Sequence, residues 1–277
     1  MDSIATPARS WLFVPATRRD RFAKAAASGA DRVIIDLEDA VAPEQKADAR
    51  EELLGASIPT ERPVYLRVNA ASTPWFERDV AVASSIAVTG IFLPKADTPE
   101  DVARAAARLA GDKPIVPIVE TAAGVWNALD VARSPRVERL VFGALDFQLD
   151  TGMYDENGAY DFVRSRVVVA SRVARVGAPI DSVCLAIHDD ALLERDAARG
   201  RRFGFCGKLC IHPNQVRVAN ASFRPTAEEV EWARDIRRER NARPADAVFS
   251  HKGALVDRPV FERADQILAL ASALGLE

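Results

Sequence analysis

The chain has 277 residues, 37 Lys+Arg against 40 Asp+Glu for a net charge of −3, and is 48% hydrophobic and 28% charged. That length suits one or two domains or one α/β barrel, enough to bury about three quarters of the unfolded surface around a core without staples. The near-neutral charge argues against nucleic acid or an anionic membrane as partner, no apolar run approaches the roughly 20 residues of a membrane span, and three cysteines make no disulfide framework.

The N-terminal stretch MDSIATPARSWLFVP lacks a basic start followed by a long apolar run, so no secretory leader is expected and the expected compartment is the cytoplasm. From there short β-rich runs alternate with Ala/Arg/Leu/Glu stretches. Strands are expected at 11–14, 32–36, 64–68, 91–94, 115–119, 140–143, 180–184 and 204–206. Helices are expected between them at 18–28, 43–54, 75–87, 99–110, 123–132, 160–176 and 189–201. Runs such as RVIID and IVPIVE are almost continuously apolar, as parallel strands covered on both faces require. Repeated βαβ units of this number fit an α/β TIM (β/α)8 barrel. A doubly wound sheet is the alternative, weakened because no Gly-x-Gly-x-x-Gly follows a candidate strand. The barrel is expected over residues 1–222. Residues 223–277 read as a short C-terminal helical extension or lid, with helices at 226–240 and 259–273 around a turn or short hairpin, and not as an independent domain. The basic cluster RDIRRERNAR is interleaved with acids and reads as a solvated helix face.

Barrel enzymes place their chemistry at the C-terminal ends of the strands. Here those ends are polar in succession: Asp36, Glu38 and Asp39 after strand two, Arg67 after strand three, Lys95 after strand four, Glu120 after strand five, Asp146 after strand six and Lys208 at strand eight. Glu120 and Asp146 come from neighbouring strands and can reach one point, where two carboxylates and open positions would suit Mg²⁺; pairing with Arg67 or Lys95 without a metal is the alternative. The Arg67 fork matches a carboxylate. Six lysines against 31 arginines draw attention to Lys95 and Lys208 as Schiff-base nucleophiles, but acidic surroundings would hold either amine protonated, so an electrostatic or packing role is the better reading. Cys206, Cys210 and His212 have zinc-like spacing, but partners are scarce and buried structural thiols are the better reading.

The segments RSWLFVPATRRDRFAKAAASGADRVIIDLEDAV, LRVNA, FLPKAD, PIVETAAGV, FGALDF, GKLCIHPNQV and GALVDRP occur in this order. Together the set resembles the citrate lyase β-subunit-like family of acyl-CoA lyases, which includes malyl-CoA and citramalyl-CoA lyases. The resemblance implies a TIM barrel that binds Mg²⁺ through Glu120 of ETxxGV and Asp146 of GxxDF. It implies that Arg67 holds the small acid, that Asp36, Glu38 and Asp39 line the site, and that the Gly143, Ala144 and Leu145 amides face the acid. It further implies an acid/base aspartate in a GxxxD-x-P turn, matched by Asp257, serving a neighbouring subunit in a homotrimer or homohexamer. The expected catalytic groups are thus Arg67, Asp257 and Asp36. One departure is Asp39, where related pyruvate aldolases carry a histidine, which disfavours that branch. The implied reaction joins or cleaves a 3-hydroxyacyl-CoA thioester, an acyl-CoA and a 2-oxo acid being the other side. A β-type subunit served by an acyl-carrier protein and a non-catalytic acyl-CoA-binding barrel are the alternatives.

Overall fold

The computed structural model describes residues 8–155 and 158–276. The leader question raised above concerns a segment that lies, up to Pro7, outside the described residues. Eight parallel strands, β1 (Ser10–Pro15), β2 (Arg32–Asp36), β3 (Val64–Arg67), β4 (Gly90–Leu93), β5 (Ile115–Val119), β6 (Arg139–Phe142), β7 (Gly177–Asp181) and β8 (Gly207–Cys210), close into a barrel in sequence order. The helices between them are α1 (Phe22–Ala26), α2 (Lys46–Leu54), α3 (Phe76–Ser85), α4 (Pro99–Arg108), α5 (Ala122–Trp126), α6 (Ala128–Ala132), α7 (Ala144–Thr151), α8 (Asp161–Ala174) and α9 (Asp190–Phe203), with α10 (Pro213–Ser222) after β8. This is the α/β TIM barrel that the alternation of runs implies.

Side-chain alternation along each strand decides what faces the barrel interior. Trp11, Ile34, Tyr65, Phe92, Val116, Ile118, Val141, Ile180 and Leu209 form one buried cluster. Within it Trp11, Tyr65 and Phe92 pack ring to ring, with centroids 5.2 to 5.7 Å apart. Continuing in steps of two from these residues reaches Asp36, Arg67, Glu120, Gly143 and Ser182. The polar groups at the strand ends are therefore the top layer of the same inward face.

Three expectations are corrected. The eighth strand is not at 204–206 but at Gly207–Cys210, because α9 runs on to Phe203. Gly204, at φ 102°, closes that helix: its N–H bonds Arg201 O while the Phe205 N–H bonds Gly200 O, a Schellman ending. The seventh strand begins at Gly177 rather than Ile180. The helix expected over 123–132 is broken at Asn127, whose side-chain amide donates to Asp97 O instead of continuing one rod.

The chain divides into two compact units, Ala8–Ser222 and a C-terminal unit from Phe223. In the latter, α11 (Ala227–Ala242) and α12 (Arg258–Ala273) enclose Ala233, Ile236, Phe249, Val256, Phe261 and Ala264 with the antiparallel hairpin β9 (Phe249–His251) and β10 (Ala254–Val256). The acid-interleaved face of α11 bears ion pairs from Asp235 to Arg238 and Lys252.

Candidate active site

A cavity of about 390 Å³ opens at the C-terminal end of the barrel. Asp36, Asp39, Arg67, Glu120, Gly143, Ala144, Leu145 and Asp146 line it on the polar side. Phe13, Ile118, Val183, Leu185, Leu209 and Ile211 supply an apolar wall.

Arg67 is the most tightly held of these groups. Its Nε and Nη2 donate to the two Asp36 oxygens at 2.7 Å each, and its Nη1 donates to Asp39 at 3.4 Å. The same Nη1 lies 2.8 Å from Glu38 Oε2, and the guanidinium packs 4.7 Å above the Phe13 ring. Burial opposes its charge, but Asp36, Glu38 and Asp39 outweigh that and push its pKa up. Asp36 also accepts the N–H groups of Glu38 and Ala40, so its oxygens already receive four donors. Asp36 thus fixes the fork.

The strand-two turn is pinned from behind. The Lys46 ammonium donates to Leu37 O and Glu38 O, and Asn69 Nδ2 donates to Leu37 O. Asn69 is held in turn by Asp79, which pairs with Arg50 at 3.0 Å. Glu38 is left buried, with Oε2 lacking hydrogen-bond geometry to any described group. Burial raises its pKa against the pull of Arg67.

Glu120 is 3% exposed, and its Oε1 accepts the Lys95 N–H at 2.8 Å. Burial first, then Asp146 and Glu38, push its pKa up to about 8. Room for it exists because residue 143 is glycine: a Cβ there would stand 2.4 Å from Glu120 Oε2 and 2.6 Å from its Cβ. Asp146 projects from the first turn of α7. The Lys95 ammonium lies 3.1 Å from Asp146, 3.0 Å from Glu38 and 3.9 Å from Glu120. Burial opposes its charge, yet these carboxylates raise its pKa, so the amine is held protonated.

No group of three or more His, Cys, Asp or Glu arranged to hold a metal is found among the described residues. Glu120 and Asp146 instead fit the smaller demand of a cation that takes two carboxylates and leaves its other positions to water or substrate. Both carboxylates line one cavity, and Glu120 is buried there with Asp146 and Glu38 as acidic neighbours, a concentration of acid that favours such a fit. Of the backbone amides expected to face the acid, Gly143 N–H bonds Val119 O and Ala144 N–H bonds Ser182 Oγ. Leu145 and Asp146 stand in the first turn of α7, where amides lack intrahelical acceptors.

One strand-end residue lies apart from the others, and one residue is added. Lys208 does not share the cavity: Leu209 points inward, so its neighbour points outward, where the fully buried ammonium meets Asp196 at 2.6 Å, Asp181 at 3.7 Å and Ser182 O at 2.7 Å. It is a structural counter-charge, not a nucleophile. Ser182, two residues beyond inward-facing Ile180, was detectable by the same alternation. Cys184 and Cys210 are buried, and burial pushes the Cys210 thiol up to about 12. Asp257 belongs to the C-terminal unit, at the N-cap of α12 without a side-chain capping bond.

Comparison with known proteins agrees with the barrel fold. The family model described as HpcH/HpaI aldolase/citrate lyase matches residues 9–213. A citrate lyase subunit beta-like protein of Deinococcus radiodurans is 37% identical, covering 94% of this chain and 96% of its own. A (3S)-malyl-CoA thioesterase of Cereibacter sphaeroides is 34% identical over 98% of this chain and 97% of its own, and the human mitochondrial citramalyl-CoA lyase is 29% identical over 97% and 86%. Among solved structures, CitE of Mycobacterium tuberculosis in complex with magnesium, acetoacetate and coenzyme A superposes with a TM-score of 0.85 at 33% identity, covering 96% of this chain and 98% of that one. The chain belongs to the HpcH/HpaI aldolase/citrate lyase family.

Proposed function

We propose that the chain is a Mg²⁺-dependent carbon–carbon lyase that cleaves, or forms by Claisen-type condensation, a 3-hydroxyacyl-CoA thioester such as malyl-CoA or citramalyl-CoA, giving an acyl-CoA and a 2-oxo acid. The observation that carries this reading is the convergence of Glu120, Asp146 and Arg67 on one cavity whose opposite wall is apolar. The relatives named for malyl-CoA and citramalyl-CoA, and the CitE structure with magnesium and coenzyme A, support it.

Glu120 and Asp146 would hold the metal, which when bound supplies Lewis acidity to the oxygen that becomes the keto group. Arg67, locked by Asp36, offers its remaining N–H to the carboxylate of the small acid and fixes its angle. The first-turn amides of α7 favour negative charge at the same place. The wall formed by Val183, Leu185, Leu209 and Ile211 takes the acyl arm. In cleavage, loss of the hydroxyl proton breaks the carbon–carbon bond and the electron pair leaves as a thioester enolate. Asp257 is the acid/base of this reading, protonating that enolate from a second copy of the chain; at the head of α12 its carboxylate makes no capping bond. Exposed Trp126, Leu149, Phe162, Val169 and Val173 support assembly into a homotrimer or homohexamer. A Phe162→Glu variant should then elute as a smaller species in light-scattering chromatography.

The thioesterase among the relatives favours one second reading, hydrolysis of the same thioester. Mass spectrometry separates the two. Malyl-, citramalyl- and methylmalyl-CoA would each be incubated with Mg²⁺ or EDTA. A shorter acyl-CoA plus a 2-oxo acid, formed only with the metal, is the expected result. Free CoA plus the intact hydroxy acid would establish hydrolysis instead. Thioester binding without product would point to a scaffold or to a carrier-protein substrate.

A further inference from the structure

Lys95 has no place in that chemistry, yet its ammonium lies within 4 Å of both carboxylates of the proposed metal pair and of Glu38. Its backbone lies in the left-handed region, φ 48°, and its N–H holds Glu120 Oε1 at 2.8 Å. A non-glycine residue keeps such a conformation only when its surroundings impose it. Strict alternation would turn the residue outward with Leu93; the left-handed turn breaks the alternation and brings the ammonium inward. There it lies 3.1 Å from Asp146 Oδ1, 3.9 Å from Glu120 Oε1 and 3.0 Å from Glu38 Oε1. Arg67 is committed to Asp36, Glu38 and Asp39. The charge facing Glu120 and Asp146 is therefore that of Lys95.

We propose that Lys95 is a built-in counter-cation that competes with the divalent metal for Glu120 and Asp146, so that metal entry must drive its ammonium off Asp146. The inference rests on the reading of Glu120 and Asp146 as metal ligands. Two like charges cannot share carboxylates a few ångströms away without strong repulsion, and burial strengthens it. The lysine side chain is 37% exposed, which leaves its tip free to move into the cavity. Glu38 can keep the displaced ammonium: its Oε1 already accepts it at 3.0 Å, while its Oε2 stays 2.8 Å from Arg67 Nη1. In the metal-free protein the ammonium gathers carboxylates that would otherwise repel one another. Lys95 is then a positioning residue whose cost is weaker metal binding.

The test is isothermal titration of the metal-free protein with MgCl₂, which requires no turnover. Lys95→Met and Lys95→Gln should bind Mg²⁺ at least tenfold more tightly than wild type. They should also melt at lower temperature in EDTA and show a larger Mg²⁺-induced rise in Tm. Lys95→Arg, which keeps the charge, should stay near wild type. A merely structural lysine would give weaker binding, or none, when removed. Unchanged or weaker Mg²⁺ affinity in both neutral variants overturns the proposal, as does tightening in Lys95→Arg. Asp146→Asn separates this failure from failure of the metal reading: if it binds Mg²⁺ like wild type, the metal assignment falls and the Lys95 proposal with it.

Discussion

Gly143→Ala is the sharpest perturbation of the site, because it adds one methyl group and removes no functional group. The backbone permits it, since Gly143 has φ −100°. The new Cβ would stand 2.4 Å from Glu120 Oε2, 2.6 Å from Glu120 Cβ and 3.0 Å from Ile118 Cγ2. Reaching ordinary contact, about 3.5 Å, requires a displacement of roughly 1 Å. Glu120 Cβ is anchored next to the main chain, so rotation of the carboxylate alone cannot relieve the clash. Overpacking of this kind costs about 1–3 kcal/mol, offset by about 0.4–1 kcal/mol from the stiffer unfolded chain. The net loss of about 1–2 kcal/mol should lower Tm by roughly 2–8 °C for a domain of this size. Function should suffer more, because misplacing a reacting group by about 1 Å costs on the order of 100-fold. Thermal melts, Mg²⁺ titration and kcat/KM would be measured together on wild type and variant. Wild-type Mg²⁺ affinity and turnover in Gly143→Ala would refute the claim that Glu120 must sit where the glycine lets it.

Three further outcomes are expected. Glu120, with its pKa raised to about 8, must lose a proton to bind a cation, so Mg²⁺ affinity should climb about tenfold per pH unit below that value and level off above it. The sign for folding is opposite: the folded state binds the extra proton, so the contribution is full below the unfolded pKa of about 4.3 and is lost as pH rises toward 8. The pH–Tm profile of metal-free Glu120→Gln should lack that decline, and a wild-type-like profile would contradict the assignment. Arg67→Ala should raise KM and lower kcat together and cost about 3–5 kcal/mol, because Asp36 and Glu38 lose their buried counter-charge. Arg67→Lys should not rescue it, since an ammonium cannot span both Asp36 oxygens; near-normal kinetics would count against the fork. Lys208→Met should destabilise by a similar amount, by taking the ammonium from Asp196 and leaving buried Asp181 to Arg164 alone among the described cations, and borohydride should trap no substrate adduct on Lys208 in wild type.

The barrel was legible because parallel strands covered on both faces are continuous apolar runs, and Arg32–Asp36 and Ile115–Val119 appear as such with unchanged limits. Much of the site was legible for a related reason: Asp36, Arg67 and Glu120 share parity with Ile34, Tyr65 and Ile118, so the eye that finds the core also finds its polar cap. The same parity keeps Lys208 out of the cavity, since it stands one residue away from inward-facing Leu209. Lys95 escapes the rule through its left-handed φ, which no propensity of lysine announces. The misplaced eighth strand has a similar origin, since Gly204 looks like the start of a run and is the closure of a helix. The network from Arg50 through Asp79 and Asn69 joins α2, α3 and the loop after β3, and only the assembled fold brings those residues together.

The central claim is that Glu120 and Asp146 hold the metal. Mn²⁺ soaked into crystals and located by its anomalous scattering tests it directly, because the peak reports position without turnover. A single peak in the barrel cavity beside both carboxylates, absent in Asp146→Asn, is the expected result. A peak on Asp36 and Asp39 instead, or none in the cavity at saturating Mn²⁺, would contradict it.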